Sequence, residues 1–450
     1  MKALREILSE SQISTEPSDL VCYGFDASRI DRAPGAVVWP EDTEDVVALS
    51  RYAYEEGIPL IPRGAGSGMT GGAVPERGGI VISFERMRRI LELDRDNLNV
   101  LVEPGLINGT LQRELALEGY FYPPDPASMN FCTIGGNVAE NAGGPRALKY
   151  GVTRDYVMEL EAVLPDGRVL TTGVKTPKGV VGYDLTRLLV GSEGTLATIT
   201  KIRLRFLPEP EALVTLLGVF GDVSDAGTAV SQIISSRIIP RALELMDRNA
   251  VRVVEEFRPT GLNTEASLLI IELDGNIQDV RRQAEKVVEI CQKLGAHINA
   301  AEDLRERERL WEARRAVSPA LNRISPTKIN EDIVVPRTEM AGMLRFLEEL
   351  SEKEGIPIVS FGHAGDGNLH VNIMVNEDDH DLYMRGVALV KSVFQETLKR
   401  GGTISGEHGI GLTKADYITM EIDQIGLDMM RGIKKLFDPK NILNPGKIFP

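Results

Sequence analysis

Pro62-Arg63-Gly64-Ala65-Gly66-Ser67-Gly68-Met69-Thr70-Gly71-Gly72-Ala73 is the stretch on which the fold turns. Gly66, Gly68 and Gly71 have the G-x-G-x-x-G spacing of a nicotinamide-binding turn. Such a turn must run from its strand into a helix. Residues 58–62 do read as a short apolar strand. The loop, however, continues through Gly71, Gly72, Pro75, Gly78 and Gly79 into another strand, at 79–84. The context therefore fails. What remains is a run of unhindered backbone amides, able to wrap a pyrophosphate in a nest without a helix terminus. Arg63 adds positive charge. As a plain surface loop, this glycine density would cost chain entropy for no return.

Working outward, residues 1–35 read as a short helix and an irregular entry. Pro40-Glu41-Asp42-Thr43 opens a helix with an acidic first turn and an apolar face of Val46, Val47, Leu49 and Ala53. Beyond the loop, strands at 89–93 and 98–102 and a helix at 108–118 lead to Pro123-Pro124-Asp125-Pro126-Ala127-Ser128. A second glycine-rich run follows: Cys132-Thr133-Ile134-Gly135-Gly136-Asn137-Val138-Ala139-Glu140-Asn141-Ala142-Gly143-Gly144. Its small residues and amides suit a flat ring pressed against backbone. A hairpin at 157–164 and 169–172 folds about Pro165-Asp166-Gly167. Gly191-Ser192-Glu193-Gly194-Thr195-Leu196-Ala197-Thr198-Ile199-Thr200 then enters a long strand ending at Pro208.

Pro208-Glu209-Pro210-Glu211 is a stiff, polar boundary. After it, strands and helices alternate in an α+β manner, which predicts a split-βαβ, ferredoxin-like domain. No internal repeat is visible. Near the end of this region stands Phe361-Gly362-His363-Ala364-Gly365-Asp366-Gly367-Asn368-Leu369-His370-Val371-Asn372, followed by Gly406-Glu407-His408-Gly409. Residues 369–375 alternate as a strand, with His370 and Asn372 on one face. The glycines let the chain fold back, so that His363 approaches His370. Glu407 would complete a set of two histidines and one carboxylate, suited to zinc, iron or manganese with positions left open for a substrate.

Composition narrows the function. A chain of 450 residues with 42% hydrophobic content can bury more than one core. The net charge of −15 argues against nucleic acid or an anionic membrane as the main partner. Cys22, Cys132 and Cys291 are isolated, so neither a disulfide framework nor an iron–sulfur cluster is expected on this chain. Residues 1–12 are charged and helix-like, with no apolar signal core. No apolar run approaches the ~20 residues a membrane helix needs. No integral membrane segment and a cytoplasmic protein are expected, with contact to the inner membrane only through a partner.

The histidine motif, Gly-His-Ala-Gly-Asp-Gly-Asn-Leu-His with a later Gly-Glu-His-Gly, resembles the substrate domain of the FAD-linked 2-hydroxyacid dehydrogenases. That family includes D-lactate dehydrogenases, the flavin-bearing component of glycolate oxidase and D-2-hydroxyglutarate dehydrogenase. The glycine-rich stretches between about 17 and 208 resemble the FAD domain of the vanillyl-alcohol-oxidase (PCMH) type. Asp438-Pro439-Lys440-Asn441-Ile442-Leu443-Asn444-Pro445-Gly446-Lys447 resembles the ending these dehydrogenases share, where the tail returns to the flavin domain. The implied fold class is α+β: an FAD-binding domain at 1–208 (core about 33–208), a ferredoxin-like substrate (cap) domain at 209–410, and a helical C-terminal segment at 411–450.

By this resemblance the first loop holds the pyrophosphate, and the later stretches hold the adenine side and the flavin ring. The implied FAD-binding residues are Pro62, Arg63, Gly64, Ala65, Gly66, Ser67 and Gly68; Pro124, Asp125 and Ser128; Thr133, Gly136, Asn137, Asn141 and Gly143; Glu193, Gly194 and Ile199; and Asn444, near the ring. Ser67 stands where some relatives carry a histidine bonded to the flavin, so non-covalent FAD is expected. His363, His370 and Glu407 are the implied metal ligands, with zinc favoured over manganese or iron.

Oxidising a 2-hydroxy acid removes a hydroxyl proton and a hydride from one carbon. His408, beside a ligand, is the candidate base, since an unperturbed imidazole titrates near 6.5. The segment Trp311-Glu312-Ala313-Arg314-Arg315-Ala316-Val317-Ser318 places Arg314 and Ser318 one helical turn apart, and a guanidinium fork fits a carboxylate. Lys328 adds a second cation. Arg314, Ser318 and Lys328 fall at the family's substrate-anchoring positions, with serine where some members have threonine. The residues alone do not rank Arg314 against Arg315. Asn372 is a further candidate contact. The expected activity is dehydrogenation of a D-2-hydroxy acid such as lactate or glycolate. Electrons would pass to a separate acceptor: quinone-linked, a cytochrome, an electron-transfer flavoprotein or an iron–sulfur subunit. A homodimer is admitted. Two alternatives are a non-redox flavoenzyme of the alkyl-dihydroxyacetone-phosphate synthase type and a flavin subunit that only relays electrons. The cluster of His363, His370, Glu407 and His408 favours the dehydrogenase over both.

Overall fold

The computed structural model describes residues 4–450. The chain divides into two compact units. The first takes the residues up to Gly143, then Gly151–Glu209 and Glu407–Pro450; the second takes Gly144–Tyr150 and Pro210–Gly406.

The first unit carries two main sheets among the described residues. One is formed by β1 (Ile13–Ser14), β2 (Ala36–Val38), β3 (Leu60–Arg63) and β4 (Ile80–Ser83), in the order β1-β2-β4-β3. β2, β4 and β3 run parallel, so β2 and β3 need a crossover, and the helix Thr43–Glu56 supplies it. Asp42 caps that helix by accepting from the Glu44 and Asp45 amides, and Gly57, at φ 68°, ends it. Val46, Leu49 and Ala53 bury its inner face against Val38, Leu60 and Ile82. The helix reading of residues 1–12 is met by the short helix Leu4–Ile7 and a 3-10 turn at Glu10–Gln12; residues 1–3 lie outside the described residues.

The other sheet is antiparallel. It contains β5 (Ile90–Asp94) and β6 (Asn99–Val102) and, past a short β7 (Tyr120–Phe121), β8 (Val157–Val163), β9 (Val169–Gly173) and β10 (Thr198–Arg205). The order is β5-β6-β10-β8-β9, and β7 pairs with β11 (Leu207–Pro208). The β8–β9 hairpin turns at Gly167, as its Pro-Asp-Gly sequence requires. The helices Pro17–Cys22, Ala147–Tyr150 and Leu185–Leu189 go beyond the sequence reading, and so does one at the second glycine-rich run. Within the second glycine-rich run, Ile134–Glu140 is a short helix, capped by Thr133, whose hydroxyl accepts from the Gly136 amide at 3.2 Å.

The second unit is built on one antiparallel sheet: β12 (Ala212–Phe220), β13 (Ala242–Met246), β14 (Ser267–Gly275), β15 (His297–Ala300), β16 (Thr327–Val334), β17 (Ile358–His363) and β18 (Asn368–Val375). Their order is β15-β12-β14-β13-β17-β18-β16. The first four strands, with the helices Val223–Ser235 and Ile277–Lys293, follow the 4-1-3-2 order of a split βαβ fold. The remaining strands repeat it. β16, helix Met340–Glu354, β17, β18 and helix His380–Lys399 give the order 1-3-2, and bridges Val334–Thr403 and Asp332–Ser405 set the next segment in the fourth place. No repeat is visible in the sequence because the halves share topology, not residues, and the first carries an added helix, Arg248–Phe257. The two halves join through β13 and β17, where Glu244 pairs with His363 and Met246 with Phe361. No helix among the described residues is long and apolar enough to cross a membrane.

Candidate active site

In the first unit, β3 ends at Arg63 and releases the chain into the glycine loop, at the carboxyl end of a parallel sheet. That is where open parallel sheets bind ligands. Gly66 and Gly71 take φ of 65° and 81°, which only glycine adopts cheaply. None of the amides from Gly64 to Met69 donates to a backbone carbonyl among the described residues. Arg63 is buried, donates to the Phe25 carbonyl at 2.6 Å, and packs where a Gly66 side chain would be. Burial holds its pKa below the ordinary arginine value, with Asp26 opposing the shift. A fixed positive charge under a row of open amides fits a pyrophosphate.

The loop opens on a cavity of about 230 Å³. Of the FAD-binding residues named from sequence, Pro62 to Gly68, Ser128, Thr133, Gly136, Asn137, Glu193, Gly194 and Ile199 line it. Pro124, Asp125, Asn141, Gly143 and Asn444 do not. Pro124 accepts from Gln112 Nε2 at 3.0 Å, and Asn141 accepts from the Arg154 amide at 2.9 Å. Asn444 acts one layer out: its Nδ2 donates to Gly72 O (2.9 Å) and Glu193 O (2.8 Å), tying the glycine loop to the Gly191–Gly194 turn.

Glu407 and His408 also line this cavity. Their segment is fastened by Glu193, whose two carboxylate oxygens accept from the Ile410 and Gly411 amides at 2.8 and 2.7 Å. Thr70 Oγ1 donates to the His408 carbonyl at 3.1 Å. Gly143 leaves room for Glu407: a Cβ there would stand 2.8 Å from Glu407 Oε2. Glu140, to which the sequence reading gave no role, is a further wall residue, and its Oε2 is buried without a partner among the described residues. Burial, then the neighbouring Glu193 carboxylate, push its pKa well above the usual carboxylate range. Burial also raises Glu193, against the two amides it accepts.

In the second unit Lys328, His363, His370 and Asn372 lie on β16, β17 and β18, and Arg314 and Ser318 lie on the helix Leu304–Ala320. His363 ends β17, and His370 lies on β18 opposite Phe361. The two imidazoles stand edge to face, 5.3 Å between centroids. Each has a buried carboxylate behind it. Glu244 Oε1 lies 2.7 Å from His363 Nδ1, and Asp332 Oδ1 lies 3.7 Å from His370 Nδ1. With Glu244 as acceptor the proton is on Nδ1 and Nε2 keeps its lone pair, the form in which an imidazole binds a cation. Asp332 also accepts from the Gly406 amide at 2.8 Å, and Glu407 is the next residue in the chain. Neither acid was singled out from sequence. Each sits inside a strand, and only three-dimensional pairing brings it to its histidine.

Arg314 and Arg315 separate cleanly. Arg314 is buried, 2.7 Å from Glu244 Oε2 and stacked over Phe361 at 4.8 Å. Its Nε is buried and donates to nothing among the described residues. Arg315 is exposed and pairs with Glu308. Lys328 donates to Ser318 Oγ at 2.8 Å. Asn372 is fully buried, accepting from Asn330 Nδ2 at 2.8 Å and donating to Val359 O at 3.2 Å.

Residues 34–173 match the family described as FAD binding domain, and residues 209–448 match FAD linked oxidases, C-terminal domain. The chain is 44% identical to glycolate oxidase subunit GlcD of Bacillus subtilis over 430 residues, covering 95% of this chain and 92% of that protein. It is 40% identical to D-lactate dehydrogenase of Archaeoglobus fulgidus over 441 residues, 96% of each. Among solved structures, p-cresol methylhydroxylase matches with a TM-score of 0.81 at 18% identity, over 99% of this chain and 95% of that one. 4-Ethylphenol oxidase from Gulosibacter chungangensis matches with a TM-score of 0.78 at 20% identity, over 100% and 96%. These last two establish the fold, the α+β vanillyl-alcohol-oxidase type. With both halves matched and relatives similar along nearly the full length, the chain belongs to the FAD-linked oxidases and is an FAD-dependent oxidoreductase.

Proposed function

We propose that this chain oxidises a short D-2-hydroxy acid, of the lactate or glycolate type, to the 2-oxo acid, with non-covalent FAD and one divalent metal, zinc foremost. The observation that carries the reading is the pair of carboxylate-backed imidazoles, His363 and His370, on the same sheet as Glu244, which also holds the buried Arg314. Two relatives point the same way by name: one is a glycolate oxidase subunit, the other a D-lactate dehydrogenase. When bound, the metal lowers the pKa of a coordinated hydroxyl and FAD accepts a hydride.

The chain's own residues supply the rest. His363, His370 and Glu407 are the proposed metal ligands; two neutral imidazoles and one carboxylate leave positions open for a substrate. Arg314 binds the substrate carboxylate, its Nε–H being a donor without a protein acceptor among the described residues. Ser318, Lys328 and Asn372 are further proposed contacts. His408 takes the hydroxyl proton on a ring nitrogen; its position on the cavity wall supports that role. The amides of the glycine loop and Arg63 bind the pyrophosphate, and Asn444 keeps that loop in register with Glu193. Electrons leave to a separate acceptor. The three isolated cysteines, two of them buried, offer no cluster site.

Two substitutions test the division of labour. His370→Ala is expected to lose metal and activity together. His408→Ala is expected to keep metal and FAD while flavin reduction by D-lactate or glycolate slows about 10²–10⁴-fold, the usual worth of a general base. Metal content by mass spectrometry and anaerobic stopped-flow absorbance read the two effects. Loss of metal from His408→Ala as complete as from His370→Ala would overturn the roles, and a fully active metal-free enzyme would remove the metal altogether.

A further inference from the structure

Glu244 lies on β13 directly opposite His363 of β17, at the seam between the two split βαβ halves. It is fully buried in an otherwise apolar strand, Ala242-Leu243-Glu244-Leu245-Met246. Its two oxygens serve different partners. Oε1 is 2.7 Å from His363 Nδ1, and Oε2 is 2.7 Å from Arg314 NH2. A carboxylate in such a place carries a large desolvation cost unless both oxygens are engaged. Here they are engaged by the two groups that the proposed function assigns to the metal and to the substrate carboxylate.

We propose that Glu244 is a positioning residue shared by metal and substrate: Oε1 fixes His363 as the Nδ1–H tautomer, and Oε2 aims Arg314. The inference rests on the metal and carboxylate-clamp assignments made above. On the metal side, an acceptor at Nδ1 forces the lone pair to Nε2 and locks the ring plane. On the substrate side, Oε2 forms an ion pair with Arg314 at 2.7 Å that lacks hydrogen-bond alignment, and Phe361 lies under the guanidinium face at 4.8 Å, so charge and stacking hold Arg314 in place before any anion arrives. The Nε–H remains for that anion. Ordering both groups in advance removes an entropic cost from each binding event. Because one carboxylate orders both, disturbing it should weaken both.

Glutamine is the discriminating replacement, since it keeps the shape and cannot satisfy both neighbours. If its Oε1 faces His363, its amide donors face the Arg314 donors. If its Oε1 faces Arg314, its Nε2 donates to His363 Nδ1, the ring proton moves to Nε2, and the metal-binding lone pair is lost.

The experiment uses the FAD-loaded full chain. Zinc affinity is measured by competition with a chromophoric chelator. Binding of oxalate, a dicarboxylate with no carbon-bound hydrogen to transfer, is read from the flavin absorbance with and without zinc. Glu244→Gln is expected to retain FAD, to bind zinc 10–100-fold more weakly, and to bind oxalate at least tenfold more weakly at saturating zinc. Glu244→Asp keeps the charge with one methylene less reach, and should recover part of the zinc affinity; it also stands in if the glutamine variant does not fold. A purely structural role would lower the melting temperature while leaving zinc and oxalate affinities within twofold of wild type, and that result overturns the proposal. If the wild-type chain itself has no tight zinc site, the metal reading fails and this inference with it. If wild type binds zinc and the variant binds it equally well, only the role of Glu244 falls.

Discussion

Arg314 and Arg315 are neighbours on one helix, yet the fold gives them opposite surroundings. Arg314 turns inward to Glu244 and Phe361, while Arg315 stays in solvent beside Glu308. A buried, charge-assisted contact is worth far more than an exposed one. Arg314→Met should therefore weaken hydroxy-acid binding by about 2–5 kcal/mol, with FAD and metal content unchanged. Arg315→Met should change it by less than about 1 kcal/mol. Titrating the flavin spectrum with oxalate compares them, and the reverse ranking would move the clamp to Arg315. Ser67, on the cavity wall, cannot form the flavin bond that a histidine there would make. Acid precipitation is expected to release all yellow colour into the supernatant; colour left in the pellet would refute a non-covalent cofactor.

At the scale of elements, the glycine loop works because it is packed as well as flexible. A Cβ on Gly64 would strike Thr133 Oγ1, the group that caps the helix Ile134–Glu140. Gly64→Ala should displace that hydroxyl, cost about 1 kcal/mol of cap, and raise the FAD dissociation constant several-fold; fluorescence of released FAD against dialysis volume measures it, and unchanged retention would count against the loop as the pyrophosphate cradle. What could be read from sequence follows the same line of local sufficiency. The two glycine runs, the Pro-Asp-Gly hairpin and the alternation of β18 are written in neighbouring residues, and they were legible. Ile134–Glu140 was not, because Gly135 and Gly136 oppose a helix by propensity and only the Thr133 cap offsets them. Glu244 and Asp332 were not, because an acid inside a strand reveals its use only through the cross-strand partner that pairing delivers. Arg314 was half legible: its turn and face were, its burial was not.

At the scale of the molecule, the first unit is closed by its own tail. Lys447 is buried and donates to the Val74 carbonyl at 2.6 Å; desolvation lowers its pKa to about 8, against the pull of Glu76, Asp26 and Glu193. A lysine whose pKa falls on folding holds its proton more tightly in the unfolded chain, so between pH 8 and 10.5 stability should rise with pH on this account. The effect is at most roughly 3 kcal/mol, and Lys447→Met should remove it. Urea denaturation of the two proteins at pH 7.5 and 9.5 tests this; parallel pH slopes would contradict it. The same tail edges the parallel sheet. Leu443 bridges Leu60, Ile442 O accepts from the Leu60 amide, and the Asn444 amide donates to Leu60 O at 2.7 Å. This arrangement sets a timetable on the ribosome. When β3 emerges its outer edge has no neighbour, and about 380 residues, from Arg63 to Leu443, must be made before the tail can cover it. At about 5–20 residues per second that is a wait of roughly 20–75 s. Through that interval the nascent sheet is open to mispairing, and Asn444 has yet to tie the glycine loop to Glu193. The second unit, complete by Gly406, can fold first, so the released chain truncated after Gly406 should carry a protease-resistant second unit and no bound flavin.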